Sequence, residues 1–388
     1  MKKILISAVL LFLINSLFLL AIVSVSAPVE TGWNAKKPLP VYPLANTDIV
    51  VLNDKIYVIS NTQNTRYDPK GDTWKTLPPM HTPRFTRNIA YQDKIYCIGD
   101  VVYPGGISVN LDVVEVYDPF TNNWSRKASI PNNAGSLQPY VVNEQLFVIT
   151  YSGAMYLYDP SVDSWGNKTA LPINAVCEAS CVVNEQLFII TLDRGMSREL
   201  YMYDPVVDSW TKKAQPPQFR PMLAAIDDKI IGLQYVDNEN QVGIHIYDSK
   251  TNVWSERNMS PKQGIFHGDL ISVIGVTSGV YAPKQAYVFG YVNLPPNIAK
   301  NDFIDKGTIP IFTWVYDPEN NDWLTAETLL THNPPFNSYS EKLVVIDDIF
   351  YLMGRNVSFD SGNAPSETDI VVFQYVPANW GSCPKLKF

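Results

Sequence analysis

Histidine is scarce in this chain: four residues in 388, at positions 81, 245, 267 and 332, with no two at the spacing of a metal-ligating pair. Cysteine is as sparse, at Cys97, Cys177, Cys181 and Cys383. No CxxC pair occurs, so neither a zinc ribbon nor a thioredoxin-like redox centre has support. Charged residues are only 18%, with a net charge of −8. The longest basic runs are pairs such as Lys36-Lys37 and Lys212-Lys213. That lacks the basic face nucleic acid demands, and no nucleic-acid partner is expected. GxSxG, HExxH, P-loop and GxGxxG signatures are missing too. No catalytic residue, cofactor or metal is therefore assigned.

Long apolar runs are missing after the first 27 residues. There, Lys2 and Lys3 precede an apolar stretch from Ile4 to Val25, broken only by Ser7, Asn15, Ser16 and Ser24. Two lysines, an apolar run and small residues at Ser24 and Ser26 fit either a cleaved export signal or an uncleaved membrane anchor. Both readings place residues 28–388 outside the cytoplasm, with membrane contact only through the uncleaved segment. Residues 1–27 are thus expected to be signal or anchor, and residues 28–388 a single domain. Cys177 and Cys181 lie four apart in a strand-like segment. An extended chain separates them by roughly 13 Å, more than a disulfide spans, so both are read as unpaired or buried thiols.

What is abundant is aromatic residues, 12% of the chain, together with 29 prolines and 20 glycines. This composition favours short strands and many turns. One phrase recurs: YDPKGDTW (Tyr67 to Trp74), YDPFTNNW (Tyr117 to Trp124), YDPSVDSW (Tyr158 to Trp165), YDPVVDSW (Tyr203 to Trp210), YDSKTNVW (Tyr247 to Trp254) and YDPENNDW (Tyr316 to Trp323). A worn copy, YVPANW, runs from Tyr375 to Trp380. A second phrase precedes each, as in LNDKIYVIS at 52–60 and VNEQLFVIT at 142–150. From Trp33 onward, successive tryptophans of the series stand 41, 50, 41, 45, 44, 69 and 57 residues apart. A period in the forties with several strands per unit is the signature of a propeller blade. In the phrase, Asp-Pro makes a turn, Asn or Asp completes the reversal, and Trp opens the next strand as an aromatic clamp. Its meaning is architectural, not catalytic. The second phrase is a tight turn feeding a strand whose apolar run sits between neighbouring blades.

The IY strand, the Tyr-Asp-Pro turn and the Trp resemble the kelch repeat family over residues 31–381. The resemblance implies an all-β fold: a seven-bladed propeller of four-stranded antiparallel blades. The Gly-Gly doublet usual after the IY strand departs here, reading Ser60-Asn61, Gly99-Asp100, Thr150-Tyr151, Thr191-Leu192, Gly290-Tyr291 and Gly354-Arg355. Closure can come from the segment after Trp33 or that after Trp380. GWNAKKPLP matches the outer-strand pattern and Pro384 interrupts the other, so the N-terminal strand near Trp33 is expected to seal the ring and remove its open edges.

Function is expected where the connections vary. The loops between second and third strands share one face with the links between blades, and those at 100–110, 292–310 and 355–369 are long. The links carry His81, Arg84, Phe85 and Arg87; Phe219 and Arg220; Phe266 and His267; and Phe336, Asn337 and Tyr339. Arginine among aromatics is a hot-spot composition, although such arginines also bridge blades. A protein or glycan ligand on a monomer is expected. Sequons stand at Asn123, Asn167, Asn258 and Asn356. The fold resemblance also extends to carbohydrate-active propellers, sialate mutarotases and copper-radical oxidases, but no residue here matches their catalytic sets.

Overall fold

The repeated phrase folds the same way wherever it occurs. The computed structural model describes residues 30–40, 48–60, 63–102, 109–131, 137–172, 176–193, 195–217, 222–236, 241–256, 258–260, 269–293, 309–331, 342–357 and 367–381. In the first copy, Asp68 Oδ1 accepts the N–H of Lys70 at 3.0 Å, which closes the turn. Asp72 then takes a φ of 46°, and Asn122, Asp163, Asp208, Asn252 and Asn321 take 56°, 49°, 52°, 58° and 54° at the equivalent place. Asp and Asn enter this left-handed region more readily than other non-glycine residues. The same side chain accepts the tyrosine hydroxyl: Tyr67 to Asp72 at 2.7 Å, Tyr117 to Asn122 at 2.7 Å, Tyr158 to Asp163 at 2.7 Å, Tyr203 to Asp208 at 2.6 Å and Tyr247 to Asn252 at 2.9 Å. Tyr316 donates to Asn321 likewise.

The phrase also reaches across to the preceding blade. Trp165 Nε1 donates to Ala128 O at 2.8 Å, while Asp163 Oδ1 accepts the N–H of that same residue at 3.0 Å. Both backbone groups of one neighbouring residue are thereby bound. Lys37 is held so by Asp72 and Trp74, Thr169 by Asp208 and Trp210, and Ala214 by Asn252 and Trp254. At Trp124 the neighbour is Pro78, which has no N–H, and only its carbonyl is taken, at 2.8 Å. The expected indole clamp thus has a polar half, with two exceptions: the buried Nε1 atoms of Trp33 and Trp323 have no partner among the described residues.

Seven antiparallel sheets result, in the order innermost to outermost. Blade 1 is Asp48–Leu52, Lys55–Ile59, Asn64–Asp68 and Thr73–Leu77. Blade 2 is Phe85–Tyr91, Lys94–Val102, Val114–Asp118 and Asn123–Lys127, with Val109–Asn110 added beside its second strand. Blades 3 to 6 begin at Leu137–Val142, Val176–Val183, Met222–Ile226 and Asp269–Val276. Blade 7 runs Lys342–Ile346, Ile349–Val357 and Glu367–Val376, and is completed by Gly32–Leu39. Trp33 lies opposite Tyr375 in that pairing. The N-terminal strand therefore seals the ring, as its outer-strand pattern predicts. Trp380 instead caps an edge, donating to Asp347 O at 2.8 Å and stacking on Tyr281. No helix occurs among the described residues, so none there is long and apolar enough to cross a membrane.

The core is divided among the interfaces. Seven apolar clusters of described residues each join two adjacent blades. The closing one packs Ile56, Val58 and Tyr67 of blade 1 against Tyr351, Met353 and Val372 of blade 7. The IY strands supply this core because each is buried on both faces, so they read as continuous apolar runs. In blades 1 to 4 and 7 the turns before them have two left-handed residues and no glycine, as at Asn143-Glu144 with φ of 47° and 56°, the geometry a right-twisted hairpin requires. Cys97 is buried, and Cys177 and Cys181 are free thiols on one strand, as expected. Burial pushes Cys181 up to about 12. Cys383 lies outside the described residues.

Blade 6 departs from the tight-turn expectation. Residues 277–285 join its first two strands. They are held by Asp348 of blade 7, which accepts the N–H groups of Ser278 at 2.5 Å, Tyr281 at 2.7 Å and Ala282 at 3.0 Å. Burial raises the Asp348 carboxyl, but those N–H groups outweigh it and hold the group below the usual carboxylate range.

Two outcomes are expected. Trp165→Ala costs about 3–4 kcal/mol, whereas Trp165→Phe, which keeps a ring beside Tyr158, costs about 1 kcal/mol; urea denaturation checks both, and equal losses would contradict the dominance of ring burial. Because the Asp348 carboxyl is depressed on folding, its contribution is present above the unfolded value and lost as pH falls through the folded one. From about pH 5 to about pH 3 the wild type should lose more stability than Asp348→Asn, and parallel losses in thermal scans would sink the assignment.

Candidate functional site

The link from blade 1 to blade 2 carries His81 and Arg84, and the strand it enters carries Phe85 and Arg87; the structure of the link is dictated by Glu115. The third strand of blade 2 reads Val114-Glu115-Val116-Tyr117-Asp118. At the position two before the tyrosine, blades 3 and 4 have Tyr156 and Tyr201. A carboxylate there is carried wholly inside, with its side chain 0% exposed. Desolvating a charge is expensive unless it is paired and hydrogen-bonded. Arg84, also 0% exposed, supplies the counter-charge by donating from Nη1 to Glu115 Oε2. The remaining guanidinium donors are used as well. Nη1 reaches Thr82 O at 2.9 Å, Nη2 reaches Cys97 O at 2.9 Å and Val113 O at 3.1 Å, and Nε reaches Gly99 O at 2.5 Å. All five guanidinium N–H groups are thus engaged. The expected ligand-facing Arg84 is corrected: it is an internal tie with no donor left to offer.

Glu115 also fixes the link backbone. Oε1 accepts the His81 N–H at 2.9 Å, and Oε2 accepts that of Thr82 at 3.3 Å. The His81 ring stays 54% exposed, with Nδ1 3.1 Å from Oε1. Arg126 donates to Thr82 Oγ1 at 2.6 Å from the outer strand. Gly99 explains why one glycine of the doublet survives here. Its φ is +54°, and a Cβ would meet Leu137 Cδ1 at 2.6 Å and Leu111 O at 3.1 Å.

Around this link the loops between second and third strands offer apolar tips. Val109 of blade 2 is 39% exposed, Tyr151 of blade 3 62% and Met196 of blade 4 68%. Two of these loops are internally braced. Gly153 N donates to Thr150 O at 2.9 Å, and Ser197 N donates to Asp193 Oδ1 at 2.7 Å. At the same end, Arg87 is exposed and Phe85 half-buried. Arg198, which opens the third strand of blade 4, pairs with Glu178 of its inner strand at 2.6 Å.

The structure brings His81, Phe85 and Arg87 to this end of blade 2. Phe219, Arg220, Phe266, His267, Phe336, Asn337 and Tyr339 lie outside the described residues, as do residues 103–108, 294–308 and 358–366 of the long loops. Asn123 and Asn167 are exposed. The Asn258 amide donates to Asn321 O at 2.9 Å, bracing blade 5 to blade 6. Nothing of the Asn356 side chain is described. Among the described residues no group of three or more His, Cys, Asp or Glu could hold a metal ion. Glu115 and the Tyr151 and Met196 tips escaped the sequence reading. Glu115 had a signal: a charged residue in a strand otherwise apolar.

Seven repeated antiparallel blades closed into a ring define a seven-bladed propeller. No family model matches the chain. Over 115 residues it is 34% identical to kelch repeat and BTB domain-containing protein 8 of Danio rerio, covering 29% of this chain and 18% of that protein. Kelch-like protein 4 of Homo sapiens is 40% identical over 78 residues, covering 20% of this chain and 10% of that protein. Kelch-like protein 40 of Xenopus tropicalis is 28% identical over 126 residues, 30% of this chain and 20% of that protein. The matches thus span a fifth or less of those relatives' own lengths. Kelch-repeat proteins are homologues of this chain at modest identity, and its seven blades form a kelch-type propeller.

Glu115→Ala should destabilise the propeller by about 3–5 kcal/mol, because it strands the Arg84 charge. Adding Arg84→Met should recover part of the loss. Urea midpoints of the single and double variants test this; a double variant no more stable than Glu115→Ala would contradict it.

Proposed function

We propose that the chain is a non-enzymatic recognition module, displayed outside the cytoplasm, that holds a protein partner on the face carrying the inter-blade links. The observation that carries this reading is the row of apolar tips at Val109, Tyr151 and Met196 on three consecutive blades. Side chains of that size standing in water on neighbouring loops favour a partner that buries them. His81 and Arg87 provide a polar rim beside them. The homology to kelch-repeat proteins supports a protein rather than a glycan ligand. Export rests on Lys2, Lys3 and the apolar run that follows. Gly32 begins an outer strand opposite Val376, at the far end from these loops.

The test pairs Tyr151→Asp with Met196→Asp, two exposed changes that should leave the thermal midpoint unmoved. Cross-linking to the partner recovered by the wild-type propeller should fall at least tenfold. Undiminished capture would overturn the loop-face assignment, and selective binding on a glycan array would replace the protein partner with a sugar. A reporter fused after residue 388 should be active outside the cytoplasm; activity only inside would remove the export reading.

A further inference from the structure

At the other end of the ring, blades 5, 6 and 7 enclose a cleft of about 590 Å³. Its position follows from the chain. The inner strands of the three blades end at Ile226, Val276 and Ile346, and residues 277–285 rise between them as a wall. Ala225, Ile226, Val276 and Val345 give the cleft an apolar lining, and Val280 stands 42% exposed on the wall. Its polar part is unequal in charge. Asp227, Asp347 and Asp348 line it, against the single ammonium of Lys284.

The wall is braced on both sides. Asp348 binds three of its backbone N–H groups. Lys284 crosses to Asp227 of blade 5. Behind the wall, Tyr281 stacks on Trp380 with centroids 5.6 Å apart and planes 6° apart, and its carbonyl accepts the Gly381 N–H at 2.6 Å. A cleft so held is formed before any ligand arrives, which lowers the cost of binding.

We propose that this cleft receives a basic side chain, arginine or lysine, presented by a protein partner. Such a side chain lays an aliphatic stem on apolar surface and brings its charge to carboxylates. An anionic ligand would meet the carboxylates of Asp227 and Asp347, and a wholly apolar one would desolvate Asp227 without return. The volume falls within the range of about 300–1,000 Å³ typical of ligand sites. A guanidinium entering here takes over Asp227 from Lys284, and the chain's charge of −8 favours the approach of a cationic segment. The cleft and the loop face are at opposite ends of the ring, so this inference stands apart from the function proposed above.

The probe is an end-blocked hexapeptide with two central arginines, compared by calorimetry with the same peptide carrying citrulline. The arginine peptide should bind the full-length chain, and Asp227→Asn combined with Asp347→Asn should weaken it at least tenfold. Asp159→Asn, in a distant turn of blade 3, and the Tyr151→Asp, Met196→Asp pair should leave binding unchanged. Equal binding of the citrulline peptide would overturn the proposal. An equal loss with Asp159→Asn would do so too, since it would reveal only diffuse acidity. Binding that emerges only after Lys385→Gln and Lys387→Gln would assign the cleft to the chain's own end instead of a partner, and would overturn it as well.

Discussion

A propeller blade has an outer strand with one free edge, and here that edge is tied by the next blade. The tie is a single unit of tyrosine, Asp or Asn, and tryptophan. The tyrosine hydroxyl orients the carboxylate or amide, which binds a neighbouring N–H. The indole three or fewer residues on takes the carbonyl of the same neighbour, as Asp163 and Trp165 do with Ala128. Remove any member and the others lose geometry as well as one bond. This interlocking explains why the phrase is spelled almost unchanged from blade to blade while the loops between its copies differ.

The tie also sets where the ring is uniform and where it varies. Hairpins at one end are fixed by left-handed Asn and Asp residues, so most of them have one length. Blade 6 breaks that rule, and the break is compensated: Asp348, itself a turn residue of blade 7, binds the backbone of the longer connection. At the other end the links are held from inside. Glu115 and Arg84 form a buried pair whose remaining valences go to backbone groups of the link and the adjoining strands. A link braced in that way can present His81 and Arg87 to solvent without being loose itself. Recognition sites benefit from this division, since rigid support reduces the entropy lost on binding.

The two ends of the ring therefore suit different chemistry. The loop end offers apolar tips with a basic rim, whereas the hairpin end has exposed Phe120, Val162 and Val206 in its turns and an apolar cleft bordered by carboxylates.

Much of the fold was legible because its signals are local. Tyr-Asp-Pro turns, Trp spacing and the IY strands each depend on residues near one another in the chain, and together they gave seven blades and closure through Trp33. The candidate site was less legible. Arg84 read as a surface residue because its partner, Glu115, stands 31 positions away on another strand, and linear sequence carries no distance between them. The cleft was not readable at all: Asp227, Lys284 and Asp348 converge only once three blades stand side by side. The sequence by itself determined the repeated unit, since turn and strand preferences act over a few residues. Tertiary structure alone decided which charges are buried, which loops display apolar tips and where a cavity opens, because burial is a property of neighbours that the closed ring brings together.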